Sequence, residues 1–513
     1  MKPSSEVSSP VPPEVIKAPE YDKPHDECGV FGIYSAVPED VLSAEPTRAA
    51  RAAFRALRVL QHRGQESAGI AVYDGSSFIR HADAGLVDQV FDQHTDFARL
   101  RGRLAIGHVR YSTTGGSTPD NAQPRIYEAE RGFFSLAHNG NLTNTHELRR
   151  WHFGKRGAIE GTDTSDTVLA AHYLAGGKTP RWEERIEKFM RRAEGAYSMT
   201  MLTKDALFAF RDPKGFRPLS YGIRGDDEWA VASESAALRS MGFRDVSEVR
   251  PGELLRIDQD GPRTVFHYPD ERPAFCSFEH VYFARPDSKM NGERVQVVRK
   301  RSGRILATEA PVDADIVVGV PESSIPAAIG YALESGIELD EGFTKNRYAL
   351  RSFIQPTDEE RANAIEMKQN PIPEAFRGKR VVLIDDSVVR GNTLPKIIKQ
   401  VRDCGAREVH VRIASPPVTS PCFMGVDMAT ADELISRWVE TEALRQEVRA
   451  DSLAFLSEDG LLEAMDSQRD EVCMACFNGD YPLDLPESAE YTVATEREID
   501  LRDAAEGEIP LSS

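Results

Sequence analysis

The amino-acid sequence predicts two folded domains: a layered α+β domain over residues 28–260 and an α/β domain with a parallel sheet over residues 261–482. In the first, short β-rich runs are separated by turn residues and interrupted by helical patterns, which is typical of layered α+β architecture. After about residue 290, runs that are apolar on both faces alternate with helices, as in a parallel sheet covered on two sides. A chain of 513 residues is long enough for both cores.

The first domain is predicted to contain mostly strands. An early helix is predicted over residues 47–61, because Ala50, Phe54 and Leu57 share one face and Gly64 follows as a stop. Apolar runs on both sides of a four-residue connection predict a hairpin later in the domain. The predicted strands lie at residues 29–34, 104–109, 133–136 and 229–232, and the hairpin at residues 198–210.

The second domain has a repeated order of strand and helix. Residues 315–320 form an apolar run before a helix predicted from about residue 325. Residues 380–385 form a second run before a helix predicted over residues 394–404, and residues 408–414 return as a strand. This alternation predicts a parallel sheet.

The two ends of the chain differ from the domains in composition. Residues 1–27 hold six prolines and no apolar stretch, so we expect a disordered or removable leader rather than a secretory signal. Residues 483–513 are strongly acidic, and we expect them to form a disordered, solvated tail.

Charge and composition exclude several classes of protein. The 63 Lys and Arg residues against 82 Asp and Glu give a net charge of −19, which argues against a general nucleic-acid binder. The sequence has no run of about 18 apolar residues, which excludes an integral membrane protein. Its six cysteines are too few for a disulfide scaffold. We therefore expect a cytoplasmic protein with neither nucleic-acid nor membrane partners.

Two adjacent carboxylates end the strand predicted at residues 380–385, and a loop leads from them into a helix. Open α/β sheets bind ligands at the carboxyl ends of their strands, so this edge is expected to bind a phosphorylated sugar. Backbone N–H groups of the loop suit a phosphate, and the carboxylates suit sugar hydroxyls or Mg²⁺. A helix cap alone would explain one aspartate but not the pair. The predicted binding residues are Asp385, Asp386, Ser387, Arg390, Gly391, for which a positive φ is expected, and Thr393.

The stretch Val381–Thr393 resembles the phosphoribosyl pyrophosphate (PRPP) loop of type I phosphoribosyltransferases. Val318–Ser324 resembles the loop of that family that receives the pyrophosphate, and the resemblance implies that Ser323 lies near Mg²⁺ with the two aspartates. Residues 345–368 resemble the mobile flap that closes over PRPP. The resemblance therefore implies PRPP as substrate and Mg²⁺ as cofactor.

Cys28 stands at the start of the strand predicted over residues 29–34. A lone internal cysteine is most often a small buried hydrophobe, and that interpretation stays open on this residue alone. If cleavage after Glu27 made Cys28 N-terminal, its own α-amine would become a base beside the thiol. Removal of the leader would then create a nucleophilic catalyst.

Motifs that follow Cys28 connect it to a known family. Together with Cys28 they resemble class II glutamine amidotransferases, whose domain has the N-terminal-nucleophile hydrolase fold of layered α/β sheets. The motifs are Leu60–Gly69, Gly107–Gly115, Ala137–Leu142 and Thr164–Thr167.

This resemblance implies a role for each of four further residues. Arg110 would bind the α-carboxylate of glutamine and Asp166 its α-ammonium, while Asn139 and the Gly140 N–H would form the oxyanion hole. The family commonly has Glu after Ser-Asp-Thr, whereas Val168 stands here, which weakens the expected support around Asp166. No base is assigned among the nearby histidines, which are expected to be structural: His62, His108 and His138.

The order of the two domains resembles that of glutamine phosphoribosylpyrophosphate amidotransferases, over about residues 28–482. The resemblance implies an enzyme that makes 5-phosphoribosylamine, glutamate and pyrophosphate from PRPP, glutamine and water, the first committed step of purine biosynthesis. It also implies a homotetramer under feedback by purine nucleotides. A non-catalytic PRPP-binding regulator is the alternative, disfavoured because the glutaminase residues are present and no basic DNA-binding domain is visible.

Four cysteines lie outside both predicted active sites, and the one C-x-x-C pair among them suggests metal or redox chemistry. Spacing alone fits structural zinc as well as an iron–sulfur cluster. The family resemblance implies a four-iron, four-sulfur cluster, as in one subgroup of these enzymes. Cys404 has no place in that set and is expected to lie in the core. The implied cluster ligands are Cys276, Cys422, Cys473 and Cys476.

Overall fold

The computed structural model describes most of both predicted domains. The predicted leader (1–27), residues 346–368 of the predicted flap and residues 486–513 of the predicted tail lie outside the described residues. The described residues are 28–111, 121–130, 132–153, 165–176, 179–270, 272–345, 369–426, 428 and 431–485.

Two antiparallel sheets form the first domain. A seven-stranded sheet has the order β11-β9-β10-β1-β4-β2-β3, and a six-stranded sheet has the order β13-β12-β8-β7-β6-β5. The strands are β1 Gly29–Ser35, β2 Ser67–Tyr73, β3 Phe78–Ala84, β4 Leu104–Arg110, β5 Arg125–Ala129, β6 Gly132–Leu142, β7 Gly195–Leu202, β8 Leu207–Arg211, β9 Ser220–Arg224, β10 Glu228–Ala232, β11 Arg244–Glu248, β12 Glu253–Asp258 and β13 Gly261–His267.

The two sheets are stacked between helices. Residues such as Val30, Ile106 and Leu207 fill the space between the sheets. The helix Arg48–Val59 packs its alanine-rich face on the outer side of the seven-stranded sheet, and Asp166–Ala175 packs on the six-stranded sheet. The layers are therefore helix, sheet, sheet and helix, which confirms the predicted layered α+β domain.

Most element predictions for this domain are confirmed, with one correction. The early helix forms, and the hairpin joins β7 to β8 through a four-residue connection with Leu202 opposite Leu207. The predicted boundary at residue 260 is wrong. It falls between β12 and β13, whose residues pair from Asp258–Gly261 to Glu253–His267, so the sheet continues to His267.

The second domain is built on a five-stranded sheet of order β18-β17-β21-β22-β23, in which every neighbouring pair is parallel. Helices Val295–Glu309 and Ile325–Ser335 cover one face, and helices Thr393–Asp403 and Thr441–Glu447 cover the other. This confirms the predicted parallel sheet. The strands of the domain are β14 Phe275–Cys276, β15 Lys289–Met290, β16 Glu293–Arg294, β17 Ile316–Gly319, β18 Glu338–Leu339, β19 Phe343–Lys345, β20 Gln369–Pro371, β21 Arg380–Asp385, β22 Glu408–Ile413, β23 Ser452–Phe455 and β24 Val472–Cys473.

The α-helices of the described residues belong to both domains. None of them combines the length and apolar character that crossing a bilayer requires. In chain order they are Glu39–Ala44, Arg48–Val59, Val87–Val90, Thr145–Phe153, Asp166–Ala175, Trp182–Met190, Ser235–Ser240, Val295–Glu309, Ile325–Ser335, Pro373–Phe376, Thr393–Asp403, Ile435–Trp438, Thr441–Glu447, Glu458–Met465 and Ala475–Asn478.

Candidate active sites and metal centre

Cys28 lines a polar pocket in the first domain, directly before β1. Its Sγ donates a hydrogen bond to the Tyr111 carbonyl over 3.5 Å, and burial raises the pKa of the thiol above its ordinary value. The pocket is lined by Cys28, Arg110, Tyr111, Asn121, Gln123, Arg125, His138, Gly140, Ser165, Asp166 and Thr167.

The two residues predicted to bind glutamine stand in this pocket on different elements. Arg110 ends β4 and is buried, and Asp166 begins the helix Asp166–Ala175. Asp166 accepts hydrogen bonds from the N–H of Leu142 at 3.1 Å and of Thr167 at 2.7 Å. Burial opposes the charged form, but His138 and these hydrogen bonds outweigh it and hold the pKa of Asp166 below its ordinary value. The pocket thus offers a cation and an anion beside one thiol.

The predicted oxyanion residues follow one another in β6. Gly140 lines the pocket with φ +135°, a conformation that favours glycine. Asn139 is fully buried, and neither polar atom of its side chain has a hydrogen-bond partner among the described residues. Buried amides normally have partners, so this side chain is suited to a bound ligand. Asn139 is not itself among the residues that line the pocket.

None of the three motif histidines has a hydrogen bond to the Cys28 Sγ within the described residues. His62 Nε2 bonds the Glu234 carboxylate at 2.6 Å. His108 Nε2 bonds the His138 carbonyl at 2.9 Å, and burial lowers the pKa of His108 to about 3. His138 Nδ1 lies 3.2 Å from Thr167 Oγ1 and 3.5 Å from Asp166 Oδ2.

Gln123 and Thr167 are pocket residues without a predicted role. The Gln123 amide donates to Thr167 Oγ1 at 3.2 Å and accepts from the His138 N–H at 2.9 Å. These bonds hold the residues next to Asp166 in place. The Asp166 carboxylate is therefore supported even though Val168 stands where the family commonly has glutamate. Only the position of Thr167 beside Asp166 in its motif could have indicated this role.

A buried ionic cluster that the sequence did not predict lies behind Cys28. Arg63 Nε donates to the Cys28 carbonyl at 3.3 Å, and its Nη1 donates to Glu234 at 2.7 Å and to Glu279 at 3.0 Å. Arg217 lies 3.7 Å from the same Glu279 carboxylate. All four charged side chains are almost fully buried. Because Glu279 belongs to the second domain, the cluster joins the nucleophile's backbone to that domain.

The aspartate pair lies at the carboxyl end of β21, next to the loop that follows β17. Both side chains are buried. Asp386 Oδ2 accepts a hydrogen bond from the Ser323 hydroxyl, and its Oδ1 accepts one from Ser387 at 2.7 Å. Asp385 accepts one from the Asp386 N–H at 2.9 Å. The three residues predicted to hold Mg²⁺ are therefore neighbours, and their oxygen atoms are the type of donor that Mg²⁺ prefers.

The loop after the aspartates leads into the helix Thr393–Asp403, as predicted. Gly391 has φ +77°, which confirms the expected positive φ, and a side chain there would meet Ile435. Arg390 donates to the Glu433 carboxylate at 2.6 Å, so its guanidinium faces that residue in this structure. The helix N-terminus and its loop provide backbone donors for a phosphate.

The four predicted cluster cysteines surround one apolar cavity between the domains' loops. Cys276 and Cys473 are opposite each other in the parallel pair β14–β24. Burial and the neighbouring thiols raise the pKa of Cys476 well above its ordinary value. Among the described residues, no group of three or more His, Cys, Asp or Glu is arranged to hold a single metal ion. The cysteines that line the cavity are Cys276, Cys422, Cys473 and Cys476.

Cys404 lies apart from that cavity. It follows the helix Thr393–Asp403, is half-buried, and packs against the core of the second domain. This agrees with the core position expected for it.

Comparisons with known proteins match both halves of the chain. The family model for the glutamine amidotransferase domain matches residues 108–240, and that for the phosphoribosyl transferase domain matches residues 289–415. The chain is 46% identical to the amidophosphoribosyltransferase of Synechococcus elongatus, over 91% of this chain and 93% of that protein. It is 41% identical to the amidophosphoribosyltransferase of Bacillus subtilis, over 90% of this chain and 95% of that protein.

A solved structure has the same architecture. It is the glutamine PRPP amidotransferase of B. subtilis complexed with ADP and GMP, which is 40% identical in sequence. The superposition has a TM-score of 0.81 and covers 90% of this chain and 98% of that one. The N-terminal-nucleophile glutaminase fold and the phosphoribosyltransferase fold are thereby confirmed, and the catalytic prediction is favoured over the regulatory alternative. The chain belongs to the amidophosphoribosyltransferase family, the enzymes of the first step of purine biosynthesis.

Proposed function

We propose that this chain releases ammonia from glutamine at Cys28 and joins it to C1 of PRPP at the Asp385–Asp386 loop. The products are 5-phosphoribosylamine, glutamate and pyrophosphate. The observation that carries the proposal is the pocket that brings Cys28, Arg110 and Asp166 together. A steady-state assay of PRPP-dependent glutamate release tests it, and no release from folded enzyme would overturn it.

Glutamine recognition follows from the two charges of the pocket. The Arg110 guanidinium matches a carboxylate with two parallel hydrogen bonds, so it is suited to the α-carboxylate. The lowered pKa of Asp166 keeps its side chain anionic near neutral pH and suited to the α-ammonium. Together these residues orient the side-chain amide of glutamine toward the Cys28 sulfur.

The chemical step is attack of the Cys28 sulfur on the amide carbon. Negative charge then develops on the amide oxygen, where the Gly140 N–H and the Asn139 amide serve as hydrogen-bond donors. The base passes the proton it took from the thiol to the amide nitrogen, the C–N bond breaks and ammonia leaves, and water then hydrolyses the thioester to glutamate and the free thiol. Within the described part of the chain the Asn139 side chain has no hydrogen-bond partner, which supports this role because the oxyanion would supply one.

The second half-reaction uses the aspartate pair and the loop after it. Ser323, Asp385 and Asp386 would hold Mg²⁺, and when bound the ion would supply positive charge to the leaving pyrophosphate. Backbone donors from Ser387 to Thr393 would bind the 5-phosphate at the helix N-terminus. Ser323 and Asp386 are already hydrogen-bonded to each other, which supports a shared role.

The base at Cys28 is proposed to be its own α-amine, which requires loss of residues 1–27. The histidines near Cys28 support this proposal, because each is hydrogen-bonded to another group and, among the described residues, none bonds the sulfur. An α-amine has a pKa of roughly 7.7 to 8.0 and can accept a proton near neutral pH, whereas an amide nitrogen cannot.

A chain that retains residues 1–27 is expected to lack glutaminase activity and to keep the ammonia-dependent reaction. Intact-mass measurement on samples with and without glutaminase activity tests this expectation. The control is the same preparation after the leader has been removed, which should begin at Cys28 and recover glutamine use. Full glutaminase activity in a sample that still carries Met1 would contradict the proposal.

We propose further that the cysteine cavity binds a four-iron, four-sulfur cluster. Four thiols around one enclosed apolar cavity match such a cluster in ligand number and type. Cys276, Cys422, Cys473 and Cys476 would be the ligands, and they come from distant parts of the sequence. Binding would therefore contribute to folding of the second domain.

Anaerobically purified protein is expected to be brown, with about four iron and four sulfide per chain. Oxygen should bleach it. Iron and sulfide analysis with an absorption spectrum measures this directly. As a control, Cys404→Ser protein should keep its iron and sulfide, because that thiol lies outside the cavity. Zinc at about one per chain without sulfide would contradict the assignment.

Regulation, assembly and location complete the proposal. The solved relative is a complex with ADP and GMP, which supports purine nucleotides as feedback inhibitors of this chain. We propose a homotetramer on family resemblance. The six free cysteines support a reducing cytoplasm.

A further inference from the structure

The loop that carries Cys422 reaches out of the second domain and contacts the oxyanion strand of the first. We define residues 422–426 as the 422–426 segment. The Cys422 N–H donates to the Met428 carbonyl at 3.2 Å, and the Met424 N–H donates to the Cys422 Sγ at 3.3 Å. The segment is therefore folded around the sulfur of a predicted cluster ligand.

Two contacts connect the segment to β6 beside the nucleophile. The Asn141 side-chain amide donates to the Phe423 carbonyl at 2.9 Å. Gly425, with φ +95°, lies against the main chain of Gly140: a Cβ added to Gly425 would be 2.8 Å from the Gly140 carbonyl carbon and 3.2 Å from the Asn141 nitrogen. The segment thus touches the residue whose N–H is proposed to bind the oxyanion.

A third contact fixes the segment from the side of the first domain. Arg217 donates from Nε to the Met424 carbonyl at 2.8 Å and from Nη2 to the same oxygen. The Arg217 side chain is fully buried and also lies near Glu279. The segment is consequently held by a charged group that belongs to the ionic cluster behind Cys28.

On the edge of β6 that faces away from β7, the sheet gives Gly140 little other support. Among the described strands, β5 pairs with β6 only from Gly132 to Leu136, and the pairing does not extend to residues 137–142. A Cβ on Gly140 would clash with the Ala196 carbonyl of β7, so β7 confines Gly140 on the side of that strand. Contacts from the 422–426 segment supply part of the remaining confinement.

We propose that the 422–426 segment is a positioning element for the oxyanion hole, with Asn141 and Gly425 as its contact residues. This inference rests on the proposed role of Gly140, and it assigns the second domain a part in glutamine hydrolysis. Oxyanion donors act only in a narrow range of position, and a displacement of about 1 Å can cost about 100-fold in rate. The expected effect is therefore on kcat with glutamine rather than on glutamine binding.

The first test replaces Asn141 with alanine. Loss of the bond to Phe423 is expected to lower kcat with glutamine by about 10- to 100-fold, with the glutamine KM little changed. The ammonia-dependent rate should be unchanged. The matched control is Asn144→Ala, which removes a side-chain amide that bonds the Arg192 carbonyl and the Glu194 N–H within the first domain. This control tests loss of stability without loss of the segment contact.

The second test replaces Gly425 with alanine. The added Cβ would overlap with main-chain atoms of Gly140. The kcat with glutamine should therefore fall by about 100-fold, while the ammonia-dependent rate persists. Gly378→Ala is the matched control, because Gly378 has φ +74° with no atom within 4 Å of an added Cβ. It imposes a similar backbone strain away from Gly140.

The outcomes separate this inference from the proposed function. If wild-type enzyme showed no PRPP-dependent glutamate release, the proposed function would fail before any variant was made. If wild-type enzyme is active, and both segment variants fold with wild-type kcat for glutamine, the positioning role is refuted. Equal losses with glutamine and ammonia, or losses matched by Asn144→Ala and Gly378→Ala, would also refute it.

Discussion

Cys28→Ala is expected to lower glutamine-dependent synthesis by about 10⁴-fold or more and to leave ammonia-dependent synthesis largely intact. The sulfur of Cys28 is the proposed nucleophile that releases ammonia, and the described residues that line the pocket include no second thiol. PRPP, in contrast, is proposed to bind to residues of another domain, which the substitution does not touch. Initial rates with glutamine and with ammonium at alkaline pH measure both activities.

Cys404→Ala is the matched control for this prediction. Cys404 is also a half-buried free thiol, but it packs against the core of the second domain. Both activities should survive its replacement. If folded Cys28→Ala protein failed to make phosphoribosylamine from ammonium, the proposed division between two sites would be wrong.

Asp386→Asn is expected to weaken synthesis with either nitrogen donor, by about 100-fold or more. Even groups outside a metal's own ligands are worth about 10- to 100-fold in affinity or activity, and Asp386 is proposed as a ligand. The substitution also replaces an oxygen of a buried carboxylate that accepts hydrogen bonds from Ser323 and Ser387. Rates over a range of PRPP and Mg²⁺ concentrations should show the loss with both donors.

Asp315→Asn is the control at the opposite edge of the same sheet. Asp315 is paired with Arg380 at the start of β21, far along the strand from Asp385. Its replacement should leave both activities near wild type. An Asp386→Asn enzyme impaired only with glutamine would contradict the placement of PRPP at this loop.

The elements that the sequence predicted correctly are those set by local patterns. The helix Arg48–Val59 follows from apolar residues recurring on one face, and the β7–β8 hairpin follows from two runs on either side of a short connection. The strand β21 with its aspartate pair likewise needs only neighbours in sequence. The family resemblance placed Ser323 beside Asp386, and the two meet in the structure because parallel strands end at one edge of the sheet.

The features that the sequence did not predict are long-range. Arg63 and Glu279 are separated by 216 residues, and no local pattern indicates that they meet. The contact of Gly425 with Gly140 depends on how two domains pack, which neither periodicity nor motif spacing encodes. The boundary was placed at residue 260 because the sequence pattern changes near there, and that change does not show that β13 pairs back with β12.

The position of the 422–426 segment has a consequence for synthesis of the chain on the ribosome. The sheets of the first domain are complete at His267, but the segment that contacts Gly140 is translated about 160 residues later, a delay of roughly 10 to 30 s at about 5–20 residues per second. During that interval the nascent first domain can fold around Cys28 while its oxyanion donor lacks this support. On the positioning role proposed for the segment, a half-made chain would therefore hydrolyse glutamine about 10- to 100-fold more slowly than the complete chain, until the domain that consumes the ammonia is made.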